Sequence, residues 1–229
     1  MSKTCYMCDA IATSAEHVPP KCLFPESKDL PSGEDLRKKL ITVPSCPIHN
    51  TSKSNDDEYL LHSLSFGVAG NKIAKHQVAT KIQRATKRRP KLMNELNLDT
   101  KQLLIQDMES GKWFSGQTLN VDYERFESCI DKIARGLYFH HFKDKWLGEI
   151  SINIHFMLNI DPANRKYNQD LGRMDSMTQS YLAQSPAFGE NQDVFYYKFR
   201  DVNEGIVMSL NFYGDNRVTL LFNKTPDKA

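Results

Sequence analysis

Within the first fifty residues stand the segments Cys5-Tyr-Met-Cys8, Glu16-His17-Val-Pro-Pro-Lys21 and Cys46-Pro-Ile-His49-Asn50. The first segment contains a Cys-x-x-Cys pair and the third a Cys-x-x-His pair, so that two residues separate the soft ligands of each pair. Two such pairs separated by a loop are a common structural zinc arrangement. The doubled pairing favours Cys5, Cys8, Cys46 and His49 as the ligands of a structural Zn²⁺ over the alternative of buried thiols and a surface histidine.

The length and composition of the chain limit the classes of protein to which it can belong. The chain has 229 residues, of which 40% are hydrophobic and 25% charged, as in soluble globular proteins with one or two cores. We expect a cytoplasmic protein with no membrane partner, because no apolar run approaches a membrane span and the N-terminus lacks a signal peptide. Five cysteines in such a chain favour thiolate ligands over disulfides. Cys22 and Cys129, at no ligand spacing, are interpreted as packed thiols.

The patterns predict an α+β fold in two parts. Residues 1–66 form a loop-rich module stapled by zinc, and residues 67–229 form an α+β region with a C-terminal antiparallel, β-rich part. The expected helices begin near 55 and span 71–89 and 126–137, and the expected strands are 40–43, 150–160, 194–199 and 206–222, the last broken by a hairpin turn at 214–216. The polar stretch 162–191 is expected to be a long connection.

A basic tract runs from residue 71 to residue 91, with eight lysines and arginines and no acidic residue. Such a block suits contact with a DNA backbone, although a solvated helix with one apolar face explains it as well. The candidate phosphate contacts in it are Lys81, Arg84, Lys87, Arg88 and Arg89.

The Glu16-His17 pair adds a carboxylate and an imidazole, which can take part in catalysis, to the zinc-ligand segments. Together with Val18-Pro19-Pro20-Lys21, with Cys46-x-x-His49-Asn50 and with Lys53-Ser54, it resembles the HNH endonuclease family. The resemblance covers about a quarter of the chain and implies the ββα-metal fold for residues 1–66.

The resemblance also implies roles. His17 would be the general base that takes a proton from the attacking water, since a histidine is largely neutral at cellular pH. Glu16 and Asn50 would bind the catalytic Mg²⁺ or Mn²⁺, which prefers oxygen ligands. Lys21 and Lys53 could contact phosphate, although a lone surface lysine usually contacts only water.

The chain departs from the family pattern at several positions. Lys38 and Lys39 stand where the family's middle asparagine is expected, and His49 replaces a cysteine that is common as the fourth zinc ligand. Asp57 or Glu58 could serve as a further metal ligand, or could simply begin a helix.

These residues predict a metal-dependent HNH endonuclease that hydrolyses DNA phosphodiester bonds. The resemblance further suggests a role in restriction or anti-phage defence. The alternatives are a non-catalytic, zinc-finger-like module that binds nucleic acid, and a nuclease subunit that stays dormant until it joins a defence partner. A homodimer is a further expectation about partners.

Overall fold

A computed structural model describes residues 4–31, 33–50, 54–67, 70–96, 101–106, 110–202 and 205–224. The helices are α1 (Pro47–Asn50), α2 (Ser54–Ser65), α3 (Lys72–Gln77), α4 (Gln83–Arg88), α5 (Leu92–Glu95), α6 (Tyr123–Phe142) and α7 (Arg165–Tyr181). The strands are β1 (Ser14–His17), β2 (Thr42–Ser45), β3 (Gln102–Gln106), β4 (Trp113–Gln117), β5 (Ile150–Ile154), β6 (Phe195–Val202), β7 (Gly205–Phe212) and β8 (Asn216–Asn223). The fold is therefore α+β, as predicted.

The strands pair only with antiparallel neighbours in three sheets. β1 pairs with β2, β3 pairs with β4, and the larger sheet has the order β5-β8-β7-β6. A turn between Phe212 and Asn216 joins β7 to β8, with positive φ at Tyr213 and Gly214. This confirms the predicted hairpin, while β5 ends earlier than expected.

A π-helical turn over Val78–Ile82 connects α3 to α4 without a break, and the three together are called the 72–88 helix below. This helix begins at Asn71, whose side chain accepts hydrogen bonds from the backbone N–H groups of Ile73 and Ala74. Such a cap satisfies donors that the first helical turn leaves unpaired. The predicted helix at 71–89 is confirmed.

Helix α6 carries the central apolar face of the protein. Its predicted stripe of Phe126, Ile130, Ile133 and Leu137 is buried, and the helix packs against α2, β2 and β5. The buried core cluster includes residues from both 1–66 and 67–229, for example Val43 and Phe222. The division of the chain near residue 66 stays a prediction.

One expectation for the C-terminal part was wrong. The stretch 162–191, expected to be a connection, contains the 17-residue helix α7. This helix packs against β8 largely through polar groups, because the sheet face beneath it carries buried Ser209 and Thr219. Gln179 donates to Ser209, and Thr178 lies 3.2 Å from Thr219. A helix packed in this way lacks the apolar repeat that marks most buried helices.

Within the described residues, none of the helices combines the length and the apolar composition that crossing a bilayer requires.

Candidate metal centre and catalytic site

The four predicted soft ligands meet at one place. The Nδ1 atom of His49 lies 3.4 Å from the Sγ of Cys5, 3.6 Å from that of Cys8 and 3.3 Å from that of Cys46. The Sγ atoms of Cys8 and Cys46 are 3.8 Å apart, and all four ligand atoms lie within 4.8 Å of one another. This cluster can therefore hold a metal ion.

The spacing of these atoms fits zinc. Metal–sulfur bonds of about 2.3 Å and metal–nitrogen bonds of about 2.0–2.1 Å in a tetrahedron give edges of about 3.8 Å between sulfurs and about 3.5 Å between sulfur and nitrogen. The observed separations of 3.8 Å and 3.3–3.6 Å match both values. Three thiols and one imidazole are also a donor set typical of structural zinc.

Local backbone structure brings the ligands together. The N–H of Cys5 donates to the carbonyl of Ala10, which closes the turn that carries Cys8. Cys46 follows β2 directly, and its carbonyl accepts from the N–H groups of His49 and Asn50, so one helical turn presents the second pair.

The electrostatics around Cys5 favour its thiolate. Burial alone would raise the pKa of this thiol, but backbone N–H groups of Met7, Cys46 and Cys8, together with His49, outweigh it and lower the pKa to about 6. A ligand that is already ionised near neutral pH binds a soft cation readily.

Lys145, beyond the end of α6, also reaches the metal centre. Its Nζ donates to the carbonyl of Cys8 and to the Oδ1 of Asp9, each at 2.8 Å. Since three cysteinates around one Zn²⁺ would leave a net negative charge, this ammonium would provide nearby compensation in the zinc-bound cluster.

Glu16 and Asn50 lie on the same side of the β1–β2 hairpin. Asn50 Nδ2 donates to the Oγ of Ser14 at 2.7 Å, and Ser14 lies two residues before Glu16 on β1. Ser45 Oγ donates to the Oε2 of Glu16 at 3.3 Å, and Ser14 in turn donates to the carbonyl of Ser45. Two serines thus link the carboxylate to the amide.

His17 stands apart from this serine network. It pairs with Thr42 in a regular ladder in which Glu16 pairs with Val43, so the two neighbouring side chains point to opposite faces of the hairpin. His17 is half-buried, and burial is the main cause that lowers its pKa, followed by the positive charges of Lys21 and Arg37, while Glu16 opposes them. The imidazole is therefore neutral at neutral pH and able to accept a proton.

The residues on α2 do not form a further cluster of ligands. In the parts of the chain that the structure describes, Cys5, Cys8, Cys46 and His49 alone bring three or more His, Cys, Asp or Glu ligand atoms together. Asp57 lies in the first turn of α2, which agrees with the alternative that it begins the helix. A carboxylate oxygen of Glu58 lies 3.4 Å from the guanidinium of Arg89.

Three of the candidate phosphate contacts in the basic tract are bonded to other groups of the protein, and of these Arg89 is exposed at the surface. Arg84 makes two hydrogen bonds to the carboxylate of Asp29, at 2.7 and 2.6 Å, and Lys81 donates to the carbonyl of Cys22. Arg89 pairs with both Glu58 and Glu95.

The other candidate phosphate contacts among the described residues reach the surface. Lys21, Lys87 and Arg88 are exposed. Lys53 lies outside the described residues.

Sequence reasoning overlooked Ser14, Ser45, Lys145 and Arg37. The two serines could have been found from the period-2 alternation once β1 was aligned with β2, because Ser14 lies opposite Ser45 and on the side of Glu16. Lys145 could not, because it is 136 residues away from Asp9 in the chain.

Comparisons with protein-family models, with curated proteins and with solved structures found no match for this chain.

Proposed function

We propose that this chain is a metal-dependent endonuclease of the HNH type that hydrolyses phosphodiester bonds of DNA. The main support is the position of the Cys/His cluster. It ties the turn around Cys5 to the start of α1, and so it holds the hairpin that bears Glu16 and His17 against the turn that bears Asn50. The order of strand, strand and helix around this cluster agrees with the module that the sequence predicts.

In this proposal His17 is the general base. Its lowered pKa keeps the imidazole neutral at cellular pH, so that it can take a proton from a water molecule attacking phosphorus. Glu16 and Asn50 offer carboxylate and amide oxygens, which are the ligands that Mg²⁺ or Mn²⁺ prefers, and the bound cation would stabilise charge on the phosphate. Ser14 and Ser45 orient these two side chains through the hydrogen bonds described above.

The DNA would lie along the exposed cations. Lys87 and Arg88 at the end of α4, and Lys21 beside His17, are exposed at the surface. A contact of this kind neutralises backbone phosphates without reading the base sequence.

One observation favours a second candidate, a zinc-stapled module that binds nucleic acid without cleaving it. The regular β1–β2 ladder separates Glu16 from His17, and Glu16 is only 7% exposed and bonded to Ser45. Cleavage by this chain alone requires that substrate or cation binding bring the two side chains to one site. A partner protein could also be what completes the site, as in the dormant-subunit alternative.

Supercoiled plasmid incubated with purified protein and Mn²⁺ or Mg²⁺ tests the proposal. We expect nicked or linear product from the wild type and none from His17→Ala, while His140→Ala, a half-buried histidine at the far end of α6, cleaves like the wild type. Wild-type protein and His17→Ala that behave alike with every divalent cation would favour the binding module.

Linear duplex, single-stranded DNA and RNA tested in parallel define the substrate, and size-exclusion chromatography with light scattering reports a homodimer.

A further inference from the structure

The backbone just after Glu16-His17-Val-Pro-Pro-Lys21 presents two carbonyls that need partners. Lys21–Leu23 forms a 3₁₀ turn in which the N–H of Phe24 donates to the carbonyl of Lys21. The next bond of that turn would join residue 25 to Cys22, but Pro25 has no N–H. The carbonyl of Cys22 therefore depends on a donor from elsewhere in the protein, because a buried carbonyl without a partner is costly.

Three side chains supply these donors. Lys81 Nζ donates to the carbonyl of Cys22 at 3.0 Å, and Gln77 Nε2 lies 3.4 Å from the same oxygen and 3.0 Å from the carbonyl of Leu23. The hydroxyl of Tyr213 also donates to the carbonyl of Leu23, at 2.5 Å. Gln77 and Tyr213 are fully buried, so water does not compete for these bonds.

The elements that carry these donors are themselves held together by hydrogen bonds. Asn71 at the start of the 72–88 helix donates its backbone N–H to the carbonyl of Tyr213 at 2.8 Å and its side-chain amide to the carbonyl of Asp193 at 2.7 Å. The π-helical turn begins directly after Gln77 and contains Lys81, and the hydroxyl of Thr80 donates to the carbonyl of His76 there. Such local deviations re-aim side chains within a helix.

Lys81 is poorly placed to meet a phosphate. Burial is the main cause that lowers its pKa, and its ammonium points to the carbonyl of Cys22. By contrast, Lys75 and Lys87 on the same helix are exposed. The basic tract thus contains cations with two different surroundings.

We infer that Lys81, Gln77 and Tyr213 are positioning residues, which set the backbone after His17 and thereby the place of its imidazole relative to the proposed metal site. The inference rests on the proposed nuclease function for its kinetic consequence. It also assigns a task to residues 67–229, which is to hold the hairpin loop of the N-terminal module in its working conformation.

The test compares two lysines of one helix. Lys81→Met keeps most of the buried chain length and removes the donor, and Lys87→Met removes an exposed cation. For Lys81→Met we expect kcat to fall about 10- to 100-fold with KM within about twofold, since a small misplacement of a catalytic group is enough for such a loss. For Lys87→Met we expect KM and the salt dependence of DNA binding to change while kcat is kept. Lys166→Met, exposed on α7, is the unaffected control.

Amide hydrogen exchange gives a readout that does not depend on cleavage. The amides of Val18, Leu23 and Phe24 donate to the carbonyls of Ile41, Pro20 and Lys21. We expect them to exchange at least about tenfold faster in Lys81→Met, but at the wild-type rate in Lys87→Met. Tyr213→Phe removes one donor without removing the ring, and we expect the same faster exchange at these amides. If Lys81→Met does not fold, Tyr213→Phe tests the inference in its place.

Wild-type exchange at these amides together with wild-type kcat in Lys81→Met would overturn the inference, and so would a change in the salt dependence of DNA binding as large as that of Lys87→Met. If the wild type cleaves nothing, the proposed function fails, and the exchange rates alone decide whether the three donors hold the loop.

Discussion

Val18 touches the backbone of Gly136 so closely that a Cβ added to this glycine would stand 2.7 Å from the Cγ2 of Val18. The residue after His17 therefore lies directly on helix α6, in the C-terminal half of the helix. We expect Gly136→Ala to destabilise the protein by up to about 2 kcal/mol, because overpacking costs about 1–3 kcal/mol, while alanine's helix propensity returns roughly 1 kcal/mol. Urea denaturation of the two proteins measures the difference.

The matched control for Gly136→Ala is Gly172→Ala. Gly172 lies inside α7, and a Cβ there would meet nothing within 4 Å. We expect this variant to be more stable than the wild type by about 0.5–1 kcal/mol, because alanine is the better helix former. Equal losses of stability in the two variants would show that the contact with Val18 is not what Gly136 is needed for.

Loss of a cluster ligand should cost both metal and stability. We expect Cys46→Ser to bind less than one zinc per chain and to unfold at a lower temperature, because the energy of metal binding contributes to folding. Cys22→Ser is the matched control, since Cys22 lies outside the cluster and its Sγ donates to the carbonyl of Asp57, as a serine hydroxyl could. Metal analysis by mass spectrometry and thermal melts with and without a chelator are the measurements. Equal melting temperatures for Cys46→Ser and the wild type would count against a structural metal.

Local patterns predicted much of the fold. The apolar spacing around Ile130, the turn at Gly214 and the paired ligands from Cys5 to His49 all depend on residues close in sequence or on a strong ligand pattern, and the structure contains each of them. Helix α7 was not predicted, because the side that faces the sheet carries Asp175, Thr178 and Gln179. Their partners on the sheet are distant in the chain.

The site was predictable only at the level of residue types. The sequence suggested hydrolytic roles for Glu16, His17 and Asn50, which stay a prediction, but the regular register of β1 against β2, which separates the first two, follows from pairing across the hairpin. The basic tract shows the same limit. Its charges are visible in the sequence, but Lys81 and Arg84 turn inward because Cys22 and Asp29, in a distant loop, need partners.

The ion pair between Arg84 and Asp29 should be a structural contact. The side chain of Asp29 is only 5% exposed, and its hydrogen bonds with Arg84 lower the pKa of the carboxyl group. We expect Arg84→Met to lose about 2–4 kcal/mol of stability, because the carboxylate is left buried without its partner. Arg84→Met combined with Asp29→Asn should recover part of this loss. Denaturation of the single and double variants measures the coupling, and additive losses would mean that the pair contributes little.

His62 should make stability depend on pH. It is 1% exposed, its Nδ1 has no hydrogen-bond partner among the residues that the structure describes, and burial lowers its pKa to about 4. Since the unfolded chain has a histidine pKa of about 6.5, it takes up a proton before the folded protein does. The contribution of His62 to stability is therefore complete above pH 6.5 and declines as the pH falls from about 6.5 towards about 4.

The variant His62→Leu tests this dependence. It removes the titrating group from an apolar surrounding that includes the ring of Phe66. We expect its stability relative to the wild type to be higher at pH 5 than at pH 7.5, by about 1–2 kcal/mol. Parallel urea titrations at the two pH values give the comparison, in which the other histidines cancel. A constant difference between the proteins would exclude a proton uptake by His62 during unfolding.

The charge of Lys21 should tune the imidazole of His17. After burial, Lys21 is the largest cause that lowers the pKa of His17, ahead of Arg37, whereas Glu16 raises it. We expect Lys21→Met to raise this pKa, because removing a nearby positive charge favours the protonated ring, and Glu16→Gln to lower it for the opposite reason. Proton NMR titration of the His17 ring measures both shifts, with the exposed Lys38→Met as control. If His17 is the general base, the acid limb of the cleavage profile moves to higher pH in Lys21→Met together with the NMR titration. An acid limb that stays in place while the titration moves would assign the proton transfer to another group.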